Sequence, residues 1–192
     1  MASYRLPRLL TALLLGATCA VLAAPAMAGK GLSYHFDADA QGWTCFDGGD
    51  LLWVAGDPKH GGYLQITDVT SGDLVMVPPA TALGDWSRFV GGTISFLARN
   101  GNGDSPDWAP FGTLVLGNGV TTLALDLVPD NAPPADGRWH RYTIALDAAT
   151  WGADLPAVLA ALSVLTLKLE FHAGVSEVVH FDSFRVRPPL AR

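Results

Sequence analysis

This sequence predicts an all-β, antiparallel β-sandwich, on three observations. Short runs alternate apolar and polar residues with a period of two. Glycine, proline and asparagine punctuate them roughly every 8 to 15 positions. Only one short stretch carries helical spacing. Leu32 to Phe36 is the first alternating run. Tyr63 to Thr67 follows Gly61-Gly62, and Asp73 to Val77 ends at Pro78-Pro79. Thr93 to Arg99 follows a second double glycine. Phe111 to Leu116 and Val120 to Leu127 flank Gly117-Asn118-Gly119, a tight hairpin signal. Arg138 to Leu146 and Val164 to Phe171 alternate most cleanly, and Val178 to Val186 closes the set. The exception spans 154–162. Asp154 is a candidate cap, Pro156 suits a first turn, and Leu155, Val158, Leu159 and Leu162 recur at three and four, so a short helix covers an open end of the sandwich.

The first 28 residues read as a secretory leader. Arg5 and Arg8 form a basic start, Leu9 to Ala24 an apolar run, and Ala26-Met27-Ala28 a small-x-small cleavage site. The run is short for a membrane span, which needs about 20 residues. The mature chain, 29–192, has the length of one domain and a secreted or periplasmic destination. Without Arg5 and Arg8 its net charge falls from −6 to about −8. That balance argues against a nucleic-acid binder, which needs clustered Lys and Arg, and disfavours an anionic membrane surface. Of the two cysteines only Cys45 survives cleavage, so no intrachain disulfide forms.

No catalytic signature is present: no Gly-x-Ser-x-Gly, no phosphate-binding glycine loop, no His-Glu-x-x-His. A glycosidase would need two facing carboxylates, and Glu170 with an aspartate is the remaining option. Alternation supplies a candidate ligand face. With Tyr142, Ile144 and Leu146 inward, Arg141 points out and Trp139 flanks it. With Leu165, Leu167 and Leu169 inward, Lys168 and Glu170 point out. With Ile94, Phe96 and Ala98 inward, Arg99 points out. Charged groups and a flat ring suit sugar hydroxyls and sugar C–H faces. The bland alternative is a solvated sheet face.

Seven segments, in order, resemble the laminin B domain, also called laminin IV type A. They are Phe36-Asp37-x-Asp39-x-x-Gly42-Trp43, Gly61-Gly62-Tyr63-Leu64-x-Ile66-Thr67-Asp68, Leu83-Gly84-Asp85 and Phe89-Val90-Gly91-Gly92-Thr93-Ile94-Ser95-Phe96. Trp139 to Asp147, Ala157 to Leu162 and Phe181-Asp182-Ser183-Phe184-Arg185-Val186 complete the set. The resemblance implies a jelly-roll sandwich related to carbohydrate-binding modules. It also implies a structural Ca²⁺ where first and last strands meet, held by Asp37, Asp182 and carbonyls from Lys59 to Gly61. Two carboxylates with carbonyls and water meet the oxygen-ligand demand of calcium. The chain departs from the family where Ser183-Phe184 follows the aspartate instead of Asn-Val. The function expected is an exported, non-catalytic module for carbohydrate or extracellular matrix. The alternative is a structural or protein-interaction domain without sugar affinity.

The leader makes a testable statement. N-terminal sequencing of the exported protein is expected to begin at Gly29; a start at Met1 or Ala2 would contradict it.

Overall fold

The computed structural model describes residues 31–56, 61–108, 111–128, 132–173 and 177–190. The expected leader, with Lys59 and His60 of the expected metal loop, lies outside the described residues. Eleven strands form: β1 Leu32–Tyr34, β2 Thr44–Asp47, β3 Gly49–Val54, β4 Tyr63–Asp68, β5 Leu74–Val77, β6 Thr93–Asn100, β7 Phe111–Gly117, β8 Thr122–Val128, β9 His140–Ala145, β10 Val164–Lys168 and β11 Val178–Arg187. One sheet runs β3-β4-β11-β6-β9, with β1 also on β11; the other runs β2-β5-β10-β7-β8. Every pairing is antiparallel. The expected fold class is the one observed.

The two strands that alternation misses are β2 and β3. The first is an edge strand with mostly exposed side chains, so it has no apolar face to betray it. Asp47 takes φ +77° and Gly48 follows, and the chain crosses from one sheet to the other there. A Cβ on Gly48 would lie 2.1 Å from the Gly72 carbonyl oxygen, so only glycine fits that crossing.

Strand β11 is shared by three partners. Val178–Phe181 pairs with β4, and Phe184–Val186 pairs with β1 on the same edge, while β6 runs along the other. The register shifts between Asp182 and Arg185, where β4 gives way to β1. Beneath this bulge lies an aromatic knot: Trp43 stands 4.9 Å from Phe184 and 5.2 Å from Phe181, and Phe36 stands 5.8 Å from Phe181, between ring centroids. Phe96 stacks on Tyr142 at 5.2 Å and extends the core toward β9.

Two short helices form: α2 Leu155–Leu159 lies within the expected stretch, and α1 Ala148–Trp151 precedes it. Asp154 makes no side-chain cap bond; Pro156 opens α2 as expected. Asp147 caps α1 instead, its carboxylate accepting from the Thr150 N–H at 2.9 Å. Leu155, Val158 and Leu159 are buried, so α2 closes one end of the core.

Where β10 crosses to β11, three carboxyl side chains are buried: Asp68, Glu170 and Glu177. Glu177 accepts from the Phe171 N–H at 3.0 Å and the His172 N–H at 2.7 Å, which ties Phe171 and His172 to the residue just before β11. Burial pushes its carboxyl up to about 8, and the neighbouring Glu170 adds to the rise. A carboxyl raised in the folded state favours folding below its ordinary value near 4.5 and gives up that contribution as pH climbs through about 8. Glu177→Gln keeps an acceptor for both N–H groups and cannot ionise. Its melting temperature is expected to fall less than wild type's between pH 6 and 9. Parallel curves would show that Glu177 carries no such load.

Candidate functional site

The seam at the end of β1 is built from the turn at 36–42. Gln41 Oε1 accepts from the His35 and Phe36 N–H groups, each at 2.9 Å, and Asp39 Oδ1 accepts from the Gln41 N–H at 2.7 Å. The turn swings Asp37 toward Gly61, where an added Cβ would sit 2.5 Å from Asp37 Oδ1. The indole N–H of Trp53 donates to the Phe36 carbonyl at 2.7 Å and ties β3 to the same turn.

From β11, Asp182 reaches the same region. Its carboxylate accepts from the Ser183 N–H and, at 3.2 Å, from the Ser183 hydroxyl. Burial pushes the Asp182 carboxyl above its ordinary value, and Asp37 adds to the rise. Phe36 and Ser183, beside the two aspartates, hold φ of +55° and +52°. Left-handed backbone at a bulky or branched residue costs on the order of 1–3 kcal/mol and persists where its surroundings demand it. Both strained residues fall at the one place where β1, β4 and β11 must meet.

Next to the seam, on the outer face of the β3-β4-β11-β6-β9 sheet, lies a cleft of about 300 Å³. It is lined by Tyr63, Arg99, Trp139, Asp182 and the glycines 56, 61 and 62. Trp139 reaches back across β6 and β11 until its ring meets that of Tyr63 at 5.6 Å. The Arg99 guanidinium lies over both rings, 4.9 Å from the Trp139 centroid and 5.4 Å from that of Tyr63. Arg99 Nε donates to His180 Nδ1 at 2.9 Å. His180 Nδ1 is therefore the acceptor, and Nε2 carries the proton toward Gln65 Oε1 at 3.3 Å. Burial, and then the Arg99 charge, push the imidazole down to about 4. A neutral histidine thus pins the arginine without competing for an anion.

The structure sorts the five ligand-face residues between two faces. Arg99 and Trp139 converge in the cleft. Arg141 lies on the same sheet face, opposite Leu97 in register, and is exposed. Lys168 and Glu170 belong to the other sheet. Lys168 pairs with Asp73 at 3.7 Å, and Glu170 is buried with Oε2 accepting from the Leu74 N–H at 2.9 Å. Burial first, then Asp68 and Asp73, raise the Glu170 carboxyl, and its Oε2 serves the β5 backbone at Leu74. Asp37 lies close enough to Asp182 to raise its carboxyl. Among the described residues no three His, Cys, Asp or Glu side chains converge as a metal shell, so carbonyl oxygens would have to complete one.

Tyr63 and His180 escape the sequence reading because their neighbours are non-local. Period-two alternation marks both as outward, but only strand order makes them adjacent to Trp139. The Asn100-x-Asn102-x-Asp104 segment is a turn: Asn100 Oδ1 accepts from the Asn102 and Gly103 N–H groups at 2.9 and 3.0 Å. Asp104 and Asp107 each bond His172, at 3.0 Å.

No protein family and no curated protein sequence matches the chain. Solved structures do. The family 11 carbohydrate-binding module of a Clostridium thermocellum cellulosomal cellulase superposes with a TM-score of 0.53 at 14% identity, over 86% of this chain and 98% of its own. The same type of module in complex with a β-1,3-1,4-mixed-linked tetrasaccharide gives 0.51 at 14%, over 83% and 96%. A xylan-binding family 22 module from Paenibacillus barcinonensis gives 0.53 at 16%, over 85% and 98%. At such identities the likeness is one of fold.

Proposed function

We propose that this chain is an exported, non-catalytic binding module of the laminin B type whose cleft at Trp139 holds carbohydrate. The observation that carries the reading is the cleft itself. A tryptophan ring, a tyrosine, a fixed guanidinium and a carboxylate share one open recess on a rigid sheet. Aromatic rings offer apolar faces to sugar C–H groups, and Arg99 and Asp182 offer a donor and an acceptor for hydroxyls. The fold likeness to modules that bind xylan and a mixed-linked tetrasaccharide supports it. The burial of Glu170 weighs against a glycosidase built on that residue. For export, the Ala26-Met27-Ala28 site is the support; in addition, no helix among the described residues is long and apolar enough to cross a membrane.

A glycan array with the exported protein tests the reading. Trp139→Ala is expected to lower affinity for the best-bound glycan at least tenfold, because it removes the largest apolar ring face in the cleft. A flat array, with a protein partner recovered by pull-down, would favour the structural or protein-interaction alternative instead.

The seam is proposed to hold one structural Ca²⁺ through Asp37 and Asp182, with carbonyl oxygens of the 59–61 loop. What supports it is the mutual approach of two carboxylates, one of them raised by burial and by the other, beside a glycine whose side-chain space is taken by Asp37 Oδ1. A cation would relieve that repulsion and tie β1 and β11 to the Gly61 turn. Binding to the folded state alone stabilises by about 2.7 kcal/mol at 100 times Kd. For this length that is roughly a 5 to 10 °C rise in melting temperature. The rise is expected on moving wild type from EDTA to millimolar Ca²⁺, and is expected to be largely lost in Asp182→Asn. Identical wild-type melts in both buffers would refute the ion.

A further inference from the structure

Resting on the carbohydrate reading, we infer that the ligand is an acidic polysaccharide, its carboxylate or sulfate groups met by a band of arginines on the outer face of the β3-β4-β11-β6-β9 sheet. The chain is acidic, with 18 Asp and Glu against 12 Lys and Arg. Yet Arg99, Arg141, Arg185 and Arg187 all project from this one face. Ile94, Phe96, Ala98, Phe181, Phe184 and Val186 are buried on the opposite side. Alternation and the bulge at Asp182–Ser183 therefore turn Arg99 on β6 and both β11 arginines outward, and Arg141 follows as the register partner of Leu97.

None of the four has a carboxylate within salt-bridge distance among the described residues; the ion pairs found there use Lys168, His140 and His172. In a protein with acids to spare, four unpaired guanidinium groups on one face leave that face a positive island. Long-range repulsion from the acidic remainder is screened beyond about 10 Å at ordinary ionic strength, so the island governs close approach.

The band has room for a polymer. Arg99 pairs in register with His180, and Arg187 with Thr93, so Arg99 and Arg187 mark ends about 20 Å apart at the rise of about 3.3 Å per residue of a strand. Beyond the Trp139 cleft, a second and larger recess of about 690 Å³ follows β11. Ser33, His35, Arg185 and Arg187 line it, together with the Pro188–Leu190 segment, and among the described residues no acidic one does. Arg185 is aimed and partly desolvated there: its Nε is buried without a partner, and an Nη donates to His35 Nδ1 at 3.5 Å. A neutral glycan would leave these charges unanswered. A carboxylate or sulfate answers them with paired, charge-assisted hydrogen bonds, which guanidinium geometry favours over ammonium. Two carboxylates share that sheet face: Asp182, whose oxygens already accept from Ser183, and exposed Asp50 on β3, opposite Thr67 in register.

The test compares the exported protein on polygalacturonate and alginate (carboxylate), dextran sulfate (sulfate), and neutral dextran, xylan and mixed-linked glucan, by affinity electrophoresis at 50 and 300 mM NaCl. Stronger retardation by one acidic class than by any neutral polymer is expected, at least tenfold weaker at high salt; which class retards identifies the anion. Arg141→Gln/Arg187→Gln removes two exposed charges with little structural burden. It is expected to cost at least tenfold in acidic-polymer affinity without lowering the melting temperature, and the Lys double variant is expected to recover part of it. Retardation by neutral polymers alone, lost in Trp139→Ala, would overturn the charge inference and leave the carbohydrate reading standing. Retardation by none would overturn both. Wild-type affinity of the double Gln variant for an acidic polymer would overturn the arginine band.

Discussion

The hydrogen-bond demand of one strand organises this molecule. Strand β11 is ten residues long and lies within its sheet, so its backbone groups need partners along both edges. On one edge β6 supplies them throughout. On the other, β4 serves the first half and β1 the second, and neither can serve both because they enter from different parts of the chain. The handover is absorbed by a bulge at Asp182–Ser183, with Ser183 in a left-handed conformation. The bulge resets the alternation, so His180, Asp182, Arg185 and Arg187 all face outward although a gap of three separates the middle pair.

The core and the seam are two sides of that bulge. Inward, Phe181 and Phe184 flank the offset and clamp Trp43, with Phe36 closing against them. Packing of this density resists displacement, and it holds the strained backbone at Phe36 and Ser183 in place. Outward, the same offset opens a gap between the end of β1 and the start of β4, and Asp37, Gly61 and Asp182 fill it. At Phe36 and Ser183, strained backbone and candidate chemistry coincide where β1, β4 and β11 converge.

Electrostatics divide the two ends of the sandwich differently. At the β10–β11 connection, carboxyl groups are buried and driven toward their neutral forms, with backbone N–H groups as partners. On the outer sheet face, guanidinium groups are left without carboxylate partners among the described residues, and His180 is held neutral beside Arg99. An acidic chain thus hides part of its negative charge and displays positive charge on one face. Net charge alone, at −6, conceals this arrangement.

Read alone, the sequence determined the class of fold, nine of the eleven strands and the capping segment, because period-two alternation and turn residues are local signals. It also placed Arg99, Trp139 and Arg141 on outward positions and singled out Asp37 and Asp182. Edge strand β2 and its successor β3 stayed hidden, since an exposed edge has no apolar rhythm and Gly48 breaks the run. Tertiary structure alone decided that Lys168 and Glu170 sit on the opposite sheet from Arg99, that Glu170 is buried against the β5 backbone, and that Tyr63 and His180 complete the cleft. Alternation tells which way a side chain points relative to its own strand, not which strands lie beside it. Strand order is set by where β11 finds its hydrogen-bond partners, a global condition that no local stretch of sequence carries.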